Sequence, residues 1–199
     1  MKTNEAHAIA YKAVYEHFAL QKVPELTFIL SLIRPTDKVL EIGCDAGGTT
    51  WAIKQSGATH YGLDLPGDRF SSGLAFASED HTNMVWGNSH LPGTKDLIQD
   101  KIGLPGKVDI LIIDGDHTYN GVQDDFYMYA GMCNGIVIFH DICEHPDPDV
   151  GVAKFYESIK VGYNHIEYMT EPMDWGGIGA LDMGKLKPRV LDLNHGLSV

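Results

Sequence analysis

The sequence predicts an α/β fold built on a doubly wound, mostly parallel sheet, and three observations predict it. Short apolar runs alternate with segments of helical period along most of the chain. Polar residues close successive apolar runs at Glu41, Asp64, Asn88, Asp114 and Asp141, at intervals of 23, 24, 26 and 27 residues, which suit one strand–helix unit each. Residues 39–53 join a strand to a helix through a turn holding Gly43, Gly47 and Gly48. Right-handed crossovers then place all five polar residues at the carboxyl edge of one sheet, where open α/β folds bind ligands.

The chain has 199 residues, enough for one such domain with a modest appendage. Its net charge of −12 disfavours nucleic acid and anionic membranes as partners. An odd count of three cysteines (Cys44, Cys133 and Cys143) argues against a disulfide scaffold and suits a reducing, cytoplasmic setting. No apolar run approaches the ~20 residues of a membrane span, and residues 1–12 lack the apolar core of a signal peptide.

Ala6, Ile9, Ala10, Ala13 and Val14, then Leu26, Ile29, Leu30 and Ile33, repeat at helical spacing. They predict two helices before the first strand, separated near Pro24 and ended by Pro35. These helices either cover the sheet or act as a lid over an acceptor. Strands are expected at Val39–Ile42, His60–Leu63, Met84–Trp86, Val108–Ile113 and Ile136–Phe139, and a helix at Tyr119–Cys133. Tyr163–Met169 and Ile178–Met183 read as two further strands. The expected fold is therefore Rossmann-like, with seven strands, a C-terminal antiparallel hairpin and N-terminal helices. The expected division is a helical cap (1–35), a main domain (36–183) and a tail (184–199).

Glycines at a strand-to-helix turn let backbone approach a ligand, and the helix start offers free N–H groups. Asp64, ending the second strand, can accept hydrogen bonds from ribose hydroxyls; the alternative is a turn aspartate. Asn88 and Ser89 follow the third strand and by themselves read as ordinary turn residues, though the Asn side chain can donate and accept at once. Residues 112–122 run from an apolar strand into Asp114, Asp116 and His117, and a second polar cluster spans His140 to His145. Neighbouring parallel strands lie ~4.8 Å apart, so Asp114 and Asp141 can converge on one ion or one hydroxyl. A tighter zinc set of His140, Asp141, Cys143 and His145 is a further option, though its spacing matches no standard finger.

The order acid-x-Gly-x-x-x-Gly, from Glu41 to Gly47 and followed by Gly48, Thr49 and Thr50, resembles the first motif of class I S-adenosylmethionine (SAM) dependent methyltransferases. The pair of polar strand ends resembles the small-molecule and sugar O-methyltransferases and the cephalosporin-hydroxylase-like group. The resemblance covers roughly residues 36–183. It implies SAM-dependent methylation of a small-molecule hydroxyl, possible assistance by Mg2+ or Mn2+, and a small-molecule acceptor as partner, with a homo-oligomer left open. The cofactor positions it implies are Glu41, Gly43, Cys44, Gly47, Thr49, Asp64, Leu65, Asn88, Ser89 and Asp114. It implies Asp114, His140 and Asp141 as metal ligands, and Asp114, His117 and His140 as catalytic, with His117 matching the family's base. His140 departs from the family, which has an acid there. A histidine ligand shifts preference toward manganese, iron or zinc, and His140 could instead serve as the base.

Three alternatives stand beside this reading. An NAD(P) oxidoreductase would share the fold, but Asp45 stands where its middle glycine belongs, and its Tyr-x-x-x-Lys pair is expected to be absent. A noncatalytic SAM-binding protein would be indifferent to the acids and His117. A hydrolase or metal oxygenase would need both His140 and His145 as ligands.

Overall fold

The structure, a computed structural model, describes residues 1–67, 82–169 and 175–184. Seven strands form one sheet: β1 (Lys38–Ile42), β2 (Thr59–Asp64), β3 (Met84–Trp86), β4 (Val108–Ile113), β5 (Cys133–His140), β6 (Asn164–Tyr168) and β7 (Ile178–Asp182). Their order is β3-β2-β1-β4-β5-β7-β6. The first five are parallel, and β7 joins antiparallel to both β5 and β6. The strand order reverses between β1 and β4, which opens a crevice at their carboxyl ends.

Alternate residues of the central strands feed two cores, as the two-residue period of a strand requires. Leu40, Ile42, Leu111, Ile113, Val137 and Phe139 face one side, with Val122, Phe126 and Phe155. Val39, Ile110, Ile112, Ile136 and Ile138 face the other, against Leu26, Ile29, Leu30 and Ile33. Leu26, Ile29 and Leu30 belong to α2 (Val23–Leu32) and Ile33 follows it; α2 is itself covered through Ala6, Ala10 and Ala13 of α1 (Thr3–Glu16). The N-terminal helices are thus part of the core of one sheet face.

Several boundaries differ from expectation, each for a local reason. Pro24 does not separate the first helices; it sits in the opening turn of α2, where a missing N–H costs nothing. α2 stops at Leu32, before Pro35. A helix α4 (Pro92–Ile102) follows α3 (Gly48–Gln55) and was not foreseen; it buries only Thr94, Ile98 and Ile102, a sparse stripe. The helix expected to reach Cys133 ends as α5 (Tyr119–Tyr129), followed by a 3-10 turn at Ala130–Met132, so Cys133 already starts β5. β5 is therefore three residues longer at its start than expected. α6 (Val152–Ile159) completes this face. Residues 185–199, most of the expected tail, lie outside the described residues.

Candidate active site

Register brings the site together. Ile112 pairs with Ile138 and Ile113 with Phe139, so one step further Asp114 lies beside His140. The sequence suggested Asp141 as the strand neighbour of Asp114. Asp141 instead follows the strand with φ 59°, a left-handed backbone that is strained for a residue with a side chain. One ligand atom from each of Asp114, His140 and Asp141 lies within 4.8 Å of the others.

Each contact here is charge-bearing. Asp114 Oδ1 lies 3.3 Å from His140 Nδ1 and 3.2 Å from His117 Nε2, while Asp114 Oδ2 accepts from Gln21 Nε2 at 2.6 Å. His117 Nδ1 is 3.5 Å from Asp141 Oδ2, so His117 bridges both acids. Asp141 Oδ1 is buried without a hydrogen-bond partner, 3.6 Å from His140 Nδ1. Burial works to raise the Asp114 pKa, but the charges and hydrogen bonds of His140 and His117 outweigh it and hold the carboxyl well below the usual range. The hydrogen bond to Asp114 raises His117. Burial opposes protonation of His140, yet Asp114, Glu25 and Asp141 together raise it well above an ordinary histidine.

The glycine turn lies directly beside this cluster. A Cβ on Gly43, which has φ +84°, would meet the Asp114 carbonyl oxygen at 2.1 Å, and one on Gly48 would meet the Ala19 amide nitrogen at 2.1 Å. These glycines allow protein backbone to pack closely, a use the sequence reading had assigned only to a ligand. Asp64 fastens the same turn: its Oδ2 accepts from the Cys44 and Asp45 amides at 2.7 Å each, and its Oδ1 from Leu65 N–H at 2.6 Å. Burial raises the Asp64 pKa. Glu41 sits beneath the turn, 1% exposed, accepting from Thr50 Oγ1 at 2.6 Å and bonded to His60 Nε2 at 2.7 Å. It supports the turn from below and does not line the cavity.

A cavity of about 460 Å³ runs across the crevice, within the range of small-ligand sites. Gly43, Cys44, Gly47, Thr49, Asp64, Leu65, Asn88 and Ser89 line it together with Asp114, His117, His140 and Asp141. The Asn88 side-chain oxygen accepts from His90 N–H at 2.8 Å, the turn role weighed from sequence. The Ser89 carbonyl accepts from Tyr129. Trp175 lines the mouth, whereas Tyr168 stacks on Phe28 with ring centroids 5.1 Å apart.

The tighter zinc set does not assemble among the described residues. Cys143 Sγ faces Met169 Sδ at 3.4 Å, and His145 is turned onto its own loop. All three cysteines are buried, and none forms a disulfide. Tyr156 and Lys160 do have Tyr-x-x-x-Lys spacing, but neither lines the cavity, and Lys160 pairs with Glu157 and Glu167. No described helix is long and apolar enough to cross a membrane.

Two site residues escaped the sequence reading. Gln21, just before α2, joins Thr49 to Asp114: its Oε1 accepts from Thr49 Oγ1 at 2.5 Å. Glu25, in the first turn of α2, is fully buried behind His140. Neither belongs to a motif, and only the docking of α2 brings them to the crevice.

A seven-stranded sheet with this strand order, a glycine turn after β1 and an acid ending β2 define a class I methyltransferase architecture. The family described as a methyltransferase domain matches residues 40–142, and the chain belongs to that family. Among solved structures, it is similar to an O-methyltransferase from Bacillus cereus in complex with S-adenosylhomocysteine (SAH), at TM-score 0.59 and 19% identity over 90% of each chain. The O-methyltransferase TomG from Streptomyces achromogenes, involved in tomaymycin synthesis and solved with SAM, gives TM-score 0.56 and 20% identity over 89% of each chain. The mycinamycin-pathway methyltransferase MycE, solved with Mg, SAH and mycinamycin VI, gives 0.62 and 16% over 93% of this chain and 57% of that one. Comparison with curated proteins gives no match.

Proposed function

We propose that this protein transfers a methyl group from SAM to the hydroxyl of a small molecule, with help from a divalent cation. The observation that carries the reading is one cavity lined both by the glycine turn and by the Asp114–His117–His140–Asp141 cluster. The solved neighbours with SAM, SAH or Mg bound support it.

The residues fit both groups. Asp64 stands at the ribose position with each oxygen retaining acceptor capacity beyond its backbone bonds. Asn88 keeps its amide N–H groups for an adenine edge, Leu65 and Ser89 flank them, and Gly47, Cys44 and Thr49 line the cavity for the amino-acid moiety. SAM held there would supply an electrophilic methyl group on its sulfonium, for in-line transfer to the acceptor oxygen with the neutral thioether as leaving group. Asp114, His140 and Asp141 would hold a cation, which would supply acidification of the acceptor hydroxyl. His117, exposed enough to swing from its bridge, would take the hydroxyl proton. Exposed Phe18, Leu20 and Trp175 offer apolar surface at the mouth for the acceptor skeleton.

The test is transfer of isotope-labelled methyl from SAM to a panel of hydroxyl-bearing sugars, phenols and polyketides. Labelled ether product, lost with Asp114→Asn, supports the proposal. SAM binding with no ether product across the panel, or transfer only to nitrogen, counts against the hydroxyl as acceptor.

A further inference from the structure

His140 meets carboxylates through both ring nitrogens. Its Nδ1 faces the gap between Asp114 and Asp141, and its Nε2 lies 3.5 Å from Glu25 Oε2. Glu25 is fixed from two other directions. Its Oε1 accepts from Gly177 N–H at 2.8 Å, and its Oε2 accepts from Lys22 N–H at 3.0 Å. The approach is close, since a Cβ on Gly176 would lie 2.7 Å from Glu25 Oε1. Two chain segments therefore hold this carboxylate behind the imidazole, at zero exposure.

A carboxylate on one ring nitrogen settles which nitrogen carries hydrogen, which orients the other as a lone-pair donor. Glu25 lies 3.5 Å from Nε2, near enough to favour hydrogen there although without hydrogen-bond geometry, so a cation that displaces the Nδ1 proton would meet the Nδ1 lone pair in the gap. The gap itself asks for a cation: Asp141 Oδ1, on a side chain more than nine-tenths buried, points there without a hydrogen-bond partner. The donor set is then two carboxylates and one imidazole. Mg2+ prefers oxygen donors throughout, whereas Mn2+, Fe2+ and Zn2+ accept nitrogen readily.

We infer that Glu25 is a positioning residue that presents His140 Nδ1 to the Asp114–Asp141 gap, and that this site thereby selects a nitrogen-accepting cation such as Mn2+ over Mg2+. The inference rests on the methyltransferase reading for its setting but not for its readout. It adds a specificity role for a residue of α2 that lies outside the sheet-edge motifs.

The test uses the full chain with SAH present. Calorimetric titration with MnCl2 and separately with MgCl2 measures preference, and pulsed electron paramagnetic resonance of the Mn2+ form reports nitrogen coupling from a bound imidazole. The expected result is Mn2+ binding at least tenfold tighter than Mg2+, with nitrogen coupling. Glu25→Gln should weaken Mn2+ binding by roughly 10- to 100-fold, the usual effect of removing such a partner. His140→Asp should abolish the nitrogen coupling and bring Mg2+ level with or ahead of Mn2+, a gain of function that a misfolded variant cannot give. Equal or tighter Mg2+ binding by the unmodified protein, absence of nitrogen coupling, or an unchanged Mn2+ affinity in Glu25→Gln would each overturn the inference. SAH binding without any cation binding overturns it too while leaving the cofactor reading intact; failure of SAH itself to bind defeats the methyltransferase reading.

Discussion

The carboxamide of Gln21 donates to Asp114 at 2.6 Å while accepting from Thr49, so a residue preceding α2 ties the glycine turn to the acid that ends β4. A hydrogen bond to a charged group contributes about 1.5–3 kcal/mol. Gln21→Ala should therefore lower kcat/KM by at least roughly tenfold, through loss of alignment between the glycine turn and Asp114. Steady-state kinetics alongside a thermal melt check this; an unchanged kcat/KM would show that the link is only structural.

Asp114 faces both histidines, and its replacement should separate binding from chemistry. Asp114→Asn is expected to reduce turnover by about 100-fold or more while SAH affinity changes little, because the turn and Asp64 remain. A calorimetric SAH titration beside a methyl-transfer assay measures the two quantities, and near-normal turnover would remove Asp114 from the catalytic cluster.

If His117 is the base, it should carry the pH dependence of the reaction. Its hydrogen bond to Asp114 raises its pKa above the ordinary 6.5, and only the neutral ring can take a proton. In the absence of added cation, activity should fall on the acid side with a midpoint above 6.5. A cation between the acids would repel the proton and move that midpoint down. His117→Asn should remove the limb, so a pH–rate profile unaltered by the substitution assigns the proton to another group.

Asp125 offers a separate test, of stability. It is fully buried on α5, 3.4 Å from His90, and burial pushes its carboxyl up to about 6 from 3.8. The folded state thus binds this proton more tightly than the unfolded state. The resulting stability is fully present below the ordinary carboxylate pKa and is lost as pH rises through about 6. Between pH 4.5 and 7.5 the loss amounts to roughly 2 kcal/mol, at about 1.4 kcal/mol per pH unit of displaced titration. Asp125→Asn should flatten that interval in urea unfolding, and an unchanged slope would contradict the assignment.

The sheet was legible because its strands announce themselves. Val108–Ile113 is apolar throughout and emerges with the expected bounds, as does Met84–Trp86. Asp64, Asp114 and the glycine turn were legible because a strand end leaves little choice of where its next residue points. What remained hidden depends on contacts between distant parts of the chain. Gln21 meets Asp114 across 93 residues, and Glu25 meets Gly177 across 152. The family resemblance already grouped Asp114 with His140 and Asp141, but the residues alone suggested Asp141 as the strand neighbour, and register, not spacing to the next acid, makes it His140. Glu41 was read as an edge residue, but it lies one position short of the strand end and turns inward to Thr50 and His60.

The most direct measurement of the central claim is calorimetric titration of the purified protein with SAM, SAH and NADH, each with and without Mn2+. Micromolar binding of SAM or SAH and none of NADH is the predicted result, because the glycine turn, Asp64 and Asn88 line one cavity with the Asp114 cluster. Binding of NADH, or of no nucleoside at all, would contradict it.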